Sequence, residues 1–260
     1  MHCLLVYRAK SRPRAHGITR SDFCIGKCVC AGFPDGRQGL RYPRDVPFAR
    51  NHRALNAARF PLGLLASFAV VLAWSAWHPR DGFIWFLESV PAIVGAIVLV
   101  AIYRKTRLTT LVYVLIWLHA IVLVVGGHYT YAEMPLFNWI RDSFGLARNY
   151  YDRLGHLMQG FVPAMIAREI LLRRRVVAGR RWLFFIVTCI CLAISAFYEF
   201  IEWWVAIASG EAADAFLATQ GDVWDTQWDM FLAFVGAMAS QLLLGAWHDR
   251  QLAALGGRRE

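Results

Sequence analysis

Six apolar stretches dominate the chain: Phe60–Trp77, Phe83–Tyr103, Leu108–Val125, Leu154–Leu172, Trp182–Ala206 and Asp229–Trp247. Each approaches the roughly 20 helical residues that span the hydrocarbon core of a bilayer. A helix in lipid also keeps its backbone groups paired within itself. The pattern therefore predicts an all-α, polytopic membrane bundle of about six transmembrane helices, with short connections that favour antiparallel neighbours. Pro91 and Pro163 fall inside the second and fourth stretches, where each is expected to kink its helix and free a carbonyl. Between the third and fourth, Met134–Ala147 carries Phe137, Ile140 and Phe144 at i, i+3 and i+7. That spacing predicts a connecting helix lying on the membrane surface, with Asn138, Arg141 and Asp142 in water.

The remaining polar sequence sets the ends and the orientation. Residues 1–55 form a basic tail, rich in Arg, Gly and Pro, without sustained periodicity or an apolar run long enough for a signal peptide. This tail is expected to be disordered in the cytoplasm, or to precede a translation start nearer Val46–Leu55. Residues 56–250 form the six-helix membrane domain and residues 251–260 a second cytoplasmic tail. With an even number of spans, the tail, Arg104-Lys105-x-Arg107, the segment from Arg173 to Arg181, and Arg258-Arg259 fall on one side. The other side receives Arg80, Arg141, Arg148 and Arg153. Cytoplasmic loops carry the excess of Lys and Arg, so both termini are placed in the cytoplasm. Trp77, Trp85, Trp203, Trp204, Trp224 and Trp228 then lie near the outer interface, and Trp182 and Trp247 near the inner one.

Composition agrees with a membrane location. Charged residues make up 18% of the chain, against about 25% in soluble domains, and mean hydropathy is +0.40. The net charge of +10 is concentrated in the tail and the short loops, which is an orientation signal and argues against nucleic acid as a partner. Membrane lipid is the expected partner. Of the six cysteines, Cys24-x3-Cys28-x-Cys30 lacks the spacing of common zinc sites. Cys189 and Cys191 would project from different sides of one helix. Reduced cysteines are expected throughout.

Ionisable residues inside the apolar stretches carry the candidate chemistry, because a charge in the bilayer costs several kcal/mol by the lower estimates (about 2.5–3.5) and usually marks a functional site. Counting about 1.5 Å per residue, Glu88, His128, Asp152, His156, Glu199, Glu202, Asp222, Asp225 and Asp229 collect near the outer ends of five helices. The inner halves read as almost wholly apolar. Asp152-x3-His156, Glu199-x2-Glu202 and Asp225-x3-Asp229 each project from one helical face. Carboxylates and imidazoles offered across facing helices are the components of bundle metal sites. His156, Glu199 and Asp229 are the expected ligands of a divalent metal, with Glu202 and Asp225 handling protons. Oxygen and nitrogen donors without thiolate suit Zn, Mn, Fe or Mg. The same residues also have structural readings: Asp152 can pair with Arg148 or Arg153, and Asp222 and Asp225 can cap the sixth helix. His119, mid-helix, is read as a neutral histidine bonded to a neighbour and stays outside the site.

These motifs also carry a likeness. Gly127-His128-Tyr129-Thr130-Tyr131, Tyr151-Asp152-Arg153-Leu154-Gly155-His156-x2-Gln159-Gly160, Tyr198-Glu199-x2-Glu202-Trp203 and the run from Gly221 to Met230 resemble the YjdF-like bacterial inner-membrane proteins from about residue 60 to 248. The resemblance implies fold and location, and no particular chemistry. A weaker similarity is to VanZ-like membrane proteins, in which an Asp-x3-His helix precedes a glutamate and an Asp-x3-Asn-x2-Gly helix. Here the last element reads Asp229-x3-Ala233-x2-Gly236, so it departs at Ala233.

Three functions fit these residues: a metal-assisted hydrolase acting on a lipid or its headgroup, a non-catalytic membrane scaffold or sensor, and a proton- or cation-coupled transporter. All three require the same topology. Cysteine probes placed beside Trp224 should react with an impermeant reagent added outside, and probes beside Arg174 should be protected until the membrane is opened; the reverse pattern would refute the orientation.

Overall fold

The computed structural model describes residues 52–209 and 218–256, and among these every regular element is helical. The elements are α1 (His52–Ser75), α2 (Gly82–Ile102), α3 (Thr110–Tyr129), a 3-10 turn (Tyr131–Glu133), α4 (Pro135–Phe144), α5 (Tyr151–Arg174), α6 (Arg180–Ser209) and α7 (Asp225–Gly256). The six long helices coincide with the six apolar stretches. Cys3, Cys24, Cys28, Cys30, Glu211, Asp214, Arg258 and Arg259 lie outside the described residues, as does residues 1–51 of the tail.

Four helices, α2, α3, α6 and α7, are long and apolar enough to cross a membrane. The apolar part of α1, Arg59–Ser75, is shorter. α5 is not among the four, although it spans 24 residues. Its place in the bundle explains this. α5 packs against α3, α6 and α7, and buries Arg153, His156, Arg168 and Glu169 along its length. A helix surrounded by protein has no need of an apolar surface all round, whereas lipid-facing helices do. The outward surfaces are apolar: Val70, Ile97, Phe185, Leu242 and Leu243 are all exposed.

Helix starts follow local chemistry. The Asp81 side chain caps α2, accepting from the amides of Phe83 and Ile84 at 2.8 and 2.9 Å. Thr109 caps α3. α2 and α5 run through Pro91 and Pro163 without an interruption of the helix, so neither proline ends its element. α4 is the expected connecting helix. Phe137 packs edge-on against Tyr151, while Leu136, Trp139 and Phe144 are exposed. Asn138 turns inward to Asn149 and Glu133 rather than to water. Asn149 is fully buried and holds this end of the bundle together. Its side chain donates to Met134 O and Asn138 Oδ1, and its backbone exchanges two hydrogen bonds with the Gln220 side chain.

The closest helix pair is α5 with α7. A Cβ added to Gly160 would stand 1.8 Å from Ala233 O, and one added to Gly236 would stand 2.2 Å from Leu157 O. The two backbones therefore touch directly, as small residues allow at helix crossings in membranes. Ala233, where the VanZ-like pattern has asparagine, is fully buried at this contact. Gly160→Ala and Gly236→Ala should each destabilise the protein by about 1–3 kcal/mol, the usual cost of overpacking. Gly95→Ala, whose new methyl meets open space, should be neutral or stabilising. Thermal unfolding in detergent checks this, and equal midpoints for Gly160→Ala and Gly95→Ala would rule out the close crossing.

Candidate functional site

At the end of the α5–α7 crossing where both helices begin, their first turns bring Asp152, Arg153 and His156 against Asp225 and Asp229. Arg148, just before α5, joins them. Arg148 Nη1 donates to Asp225 Oδ1 at 2.6 Å, and its Nη2 donates to Ala218 O at 2.9 Å. Arg153 Nη2 donates to Asp225 Oδ1 at 2.6 Å and to Asp222 Oδ2 at 3.0 Å. Its Nη1 reaches Asp225 O at 3.2 Å and also Asp229 Oδ1. Guanidinium groups with several donors in fixed geometry are suited to such shared carboxylate contacts.

His156 organises the inner side of this cluster. Its Nδ1 lies 3.2 Å from Gln159 Oε1, an acceptor, so Nδ1 carries a proton. Nε2 faces Asp152 Oδ1 at 3.4 Å and Asp229 Oδ1 at 3.7 Å. Asp152, His156 and Asp229, all buried, each present a ligand atom, and the three atoms lie within 4.8 Å of one another. A metal with N and O ligands at about 2.0–2.2 Å in tetrahedral array needs ligand atoms about 3.3–3.6 Å apart. In metal sites the second imidazole nitrogen usually donates to a carboxylate, backbone carbonyl or water; here the Gln159 carbonyl oxygen stands in that place.

Of the expected ligands, His156 and Asp229 come together with Asp152, and Glu199 stands apart from that group. Glu199 lies against the opposite ring nitrogen, 3.9 Å from His156 Nδ1, because α6 approaches that edge of the imidazole. Asp152 lies at the Nε2 edge instead, through its i,i+4 spacing to His156 on α5. Asp225, expected to handle protons, is held by two guanidinium groups. Glu202 is buried in the electrostatic field of His156, Glu199 and Glu88. Glu88 is buried near Asp152 and His156, with the hydroxyls of Tyr131 and Tyr198 beside it. Burial and the Glu88 and Asp152 carboxyls push the Tyr131 phenol well above its ordinary range. His128 does not join the site. It donates from Nδ1 to Ser75 O at 2.9 Å and stacks on Trp74, which ties α3 to the end of α1.

Seven carboxyl groups from Glu88 to Asp229 thus face two guanidinium groups. Asp152 Oδ2 and Glu199 Oε1 are buried without a hydrogen-bond partner among the described residues. An excess of buried negative charge is sustained only by protons or by a bound cation. Arg148, Arg153 and Gln159 were missed as site residues in the sequence. The signal for the arginines was their position on the sparsely basic side, beside the acidic motifs.

The opposite end of these helices, expected to be the inner one, corrects a second expectation. Thr109, Glu169 and His248 are fully buried there, with Arg168 beside them, so the inner half of the bundle is not wholly apolar. Arg168 Nη1 donates to His248 Nδ1 at 2.8 Å, and a guanidinium has no acceptor. His248 therefore carries its proton on Nε2, which donates to Glu169 Oε2 at 3.1 Å. Glu169 also accepts from Thr109 Oγ1 at 2.8 Å and Arg173 Nη1 at 2.8 Å, and Arg168 Nη2 donates to Asp249 at 2.7 Å. Its charges and hydrogen bonds are mutually matched. It is a latch joining α3, α5 and α7.

A bundle with these two polar ends and an apolar exterior is an integral membrane protein. The chain belongs to the family described as "Predicted membrane protein (DUF2238)", which matches residues 60–250. It is 49% identical over 187 residues to the inner membrane protein YjdF of Escherichia coli (strain K12), covering 72% of this chain and 90% of that one. No solved structure matches. The chain is thus a multi-pass inner-membrane protein of the YjdF-like family.

Arg153→Ala should cost about 3–5 kcal/mol, since it strands carboxylates in a buried cluster. Arg141→Ala, at a solvent-exposed pair with Asp142, should leave unfolding unchanged. Chemical unfolding in detergent compares the two, and coincident curves would show that the cluster carries no such load.

Proposed function

We propose that the chain crosses the inner membrane six times with both termini in the cytoplasm. In this reading the outer cluster binds one divalent cation through Asp152, His156 and Asp229, in the service of hydrolysing a lipid or its headgroup. The observation that carries the reading is the imidazole of His156. Its Nδ1 is committed to Gln159, while Nε2 points at two carboxylate oxygens. Three electron-rich atoms converge on one buried point, and a cation is what such a point accommodates. The excess of carboxyl groups over guanidinium groups supports the same conclusion.

A bound divalent ion would supply Lewis acidity toward a phosphoryl or carbonyl oxygen and a more acidic water. Glu202, buried in the field of His156 and Glu199, would serve as the proton acceptor beside such an ion. Arg148 and Arg153 hold Asp222, Asp225 and Asp229 in register, and so position the ligands. The site's level near the exposed Trp203, Trp204, Trp224 and Trp228 suits a substrate in the outer leaflet.

A scaffold is the second reading, and a specific observation favours it. Arg153 alone ties α5 to three carboxylates of α7 and its preceding loop, which is what a helix clamp does. Metal content separates the two. Purified protein should hold about one Zn, Mn, Fe or Mg ion per chain by elemental analysis. The ion should be absent from a folded Asp152→Asn/His156→Gln variant. Metal-free wild type, or a variant that keeps its ion, would leave the clamp as the function of this cluster.

A further inference from the structure

α1 and α2 both pack along α3 but hardly touch each other. They are joined at the outer end, where Trp85 Nε1 donates to Ser75 Oγ at 3.1 Å, and a cleft of about 270 Å³ opens between them lower down. Its floor is Ile116, Trp117 and Ala120 of α3, and its walls include Leu65, Phe68 and Ala96. Trp117 Nε1 donates to Ser67 Oγ at 2.9 Å, which keeps the α1 wall at its distance. The small side chains of Ala92, Ala96 and Ala120 are what leave the cleft hollow.

Polar groups gather at one end only. Tyr103, Arg104 and Tyr113 line that mouth. The Tyr113 hydroxyl accepts from Leu108 N at 3.3 Å, but the buried Tyr103 hydroxyl has no hydrogen-bond partner among the described residues. Arg107 lies over the Tyr103 ring, 5.2 Å from its centroid. Arg104 is exposed and makes no hydrogen bond or ion pair with any described residue. An unsatisfied donor and an open guanidinium at the end of an apolar cleft call for an anion joined to a hydrocarbon chain.

We propose that this cleft binds an anionic phospholipid of the cytoplasmic leaflet. One acyl chain runs along the α3 floor between α1 and α2, and the phosphate receives hydrogen bonds from Arg104 and the Tyr103 hydroxyl. Lys105 and Arg107, in the same loop, add to the positive field that attracts anionic headgroups. The site stands apart from the outer carboxylate cluster and does not depend on whether that cluster holds a metal.

The test is native mass spectrometry of the full chain released from nanodiscs made of equal parts phosphatidylglycerol and phosphatidylethanolamine. Both lipids offer a phosphate, but only phosphatidylglycerol is net anionic, so the wild type should retain it over phosphatidylethanolamine by about tenfold, the ratio that one or two basic side chains near the headgroup support. Arg104→Gln should cut the preference severalfold, leaving only the field of Lys105 and Arg107. Val100→Trp, which fills the cleft from an exposed position on its wall, should remove the retained lipid altogether while leaving thermal unfolding unchanged. Equal retention of the two lipids by the wild type would overturn the proposal. Full retention by a folded Val100→Trp would do so as well, because the headgroup would then be held without the cleft.

Discussion

The contact between α5 and α7 sets the positions of nearly everything else. Gly160 and Gly236 let the two backbones meet with no side chain between them. Two to three turns from this crossing, each helix begins with acidic residues, and the short interaxial distance forces those turns together. Asp152 and His156 on one side meet Asp229 on the other because the crossing leaves them no room to part. At the inner end the same pair of helices brings Arg168 and Glu169 against His248 and Asp249.

Both polar ends lie in an environment that penalises unpaired charge, yet they resolve it differently. The inner network matches each buried donor to an acceptor, down to a single tautomer of His248. The outer cluster does not close in this way. Two guanidinium groups serve Asp152, Asp222, Asp225 and Asp229, and the carboxyls of Glu88, Glu199 and Glu202 remain over. Buried ionic groups contribute little to stability when balanced and weaken a fold when they are not. The contrast between the ends is thus one of matched against unmatched buried charge.

Much of the architecture was legible in the chain. Six apolar stretches gave six long helices, and the Met134–Ala147 stripe gave the connecting helix α4, because hydrophobic periodicity and bilayer thickness constrain helices strongly. Convergence of Glu88, Asp152, His156, Glu199, Glu202, Asp225 and Asp229 also followed from residue counting along antiparallel helices. The errors share one cause. Depth along a helix is countable, but rotation about its axis is not, so His128 was placed at the right level and turns instead to Ser75. For the same reason, which edge of His156 Glu199 would face could not be counted from the chain; it faces Nδ1. Arg168 and Glu169 went unnoticed inside a stretch that averaged as apolar.

The sequence by itself determined the class of fold, the lengths of the helices and the level at which ionisable groups collect, since these depend on local composition and on a bilayer of fixed thickness. Tertiary structure decided which carboxylates belong to the arginines and which to His156. It also decided that α5, the least apolar long helix, is enclosed by its neighbours, and that α1 and α2 part to leave a cleft. Those outcomes turn on side-chain direction and on backbone separations of a few ångströms, which arise only when two helices from distant parts of the chain are packed against each other.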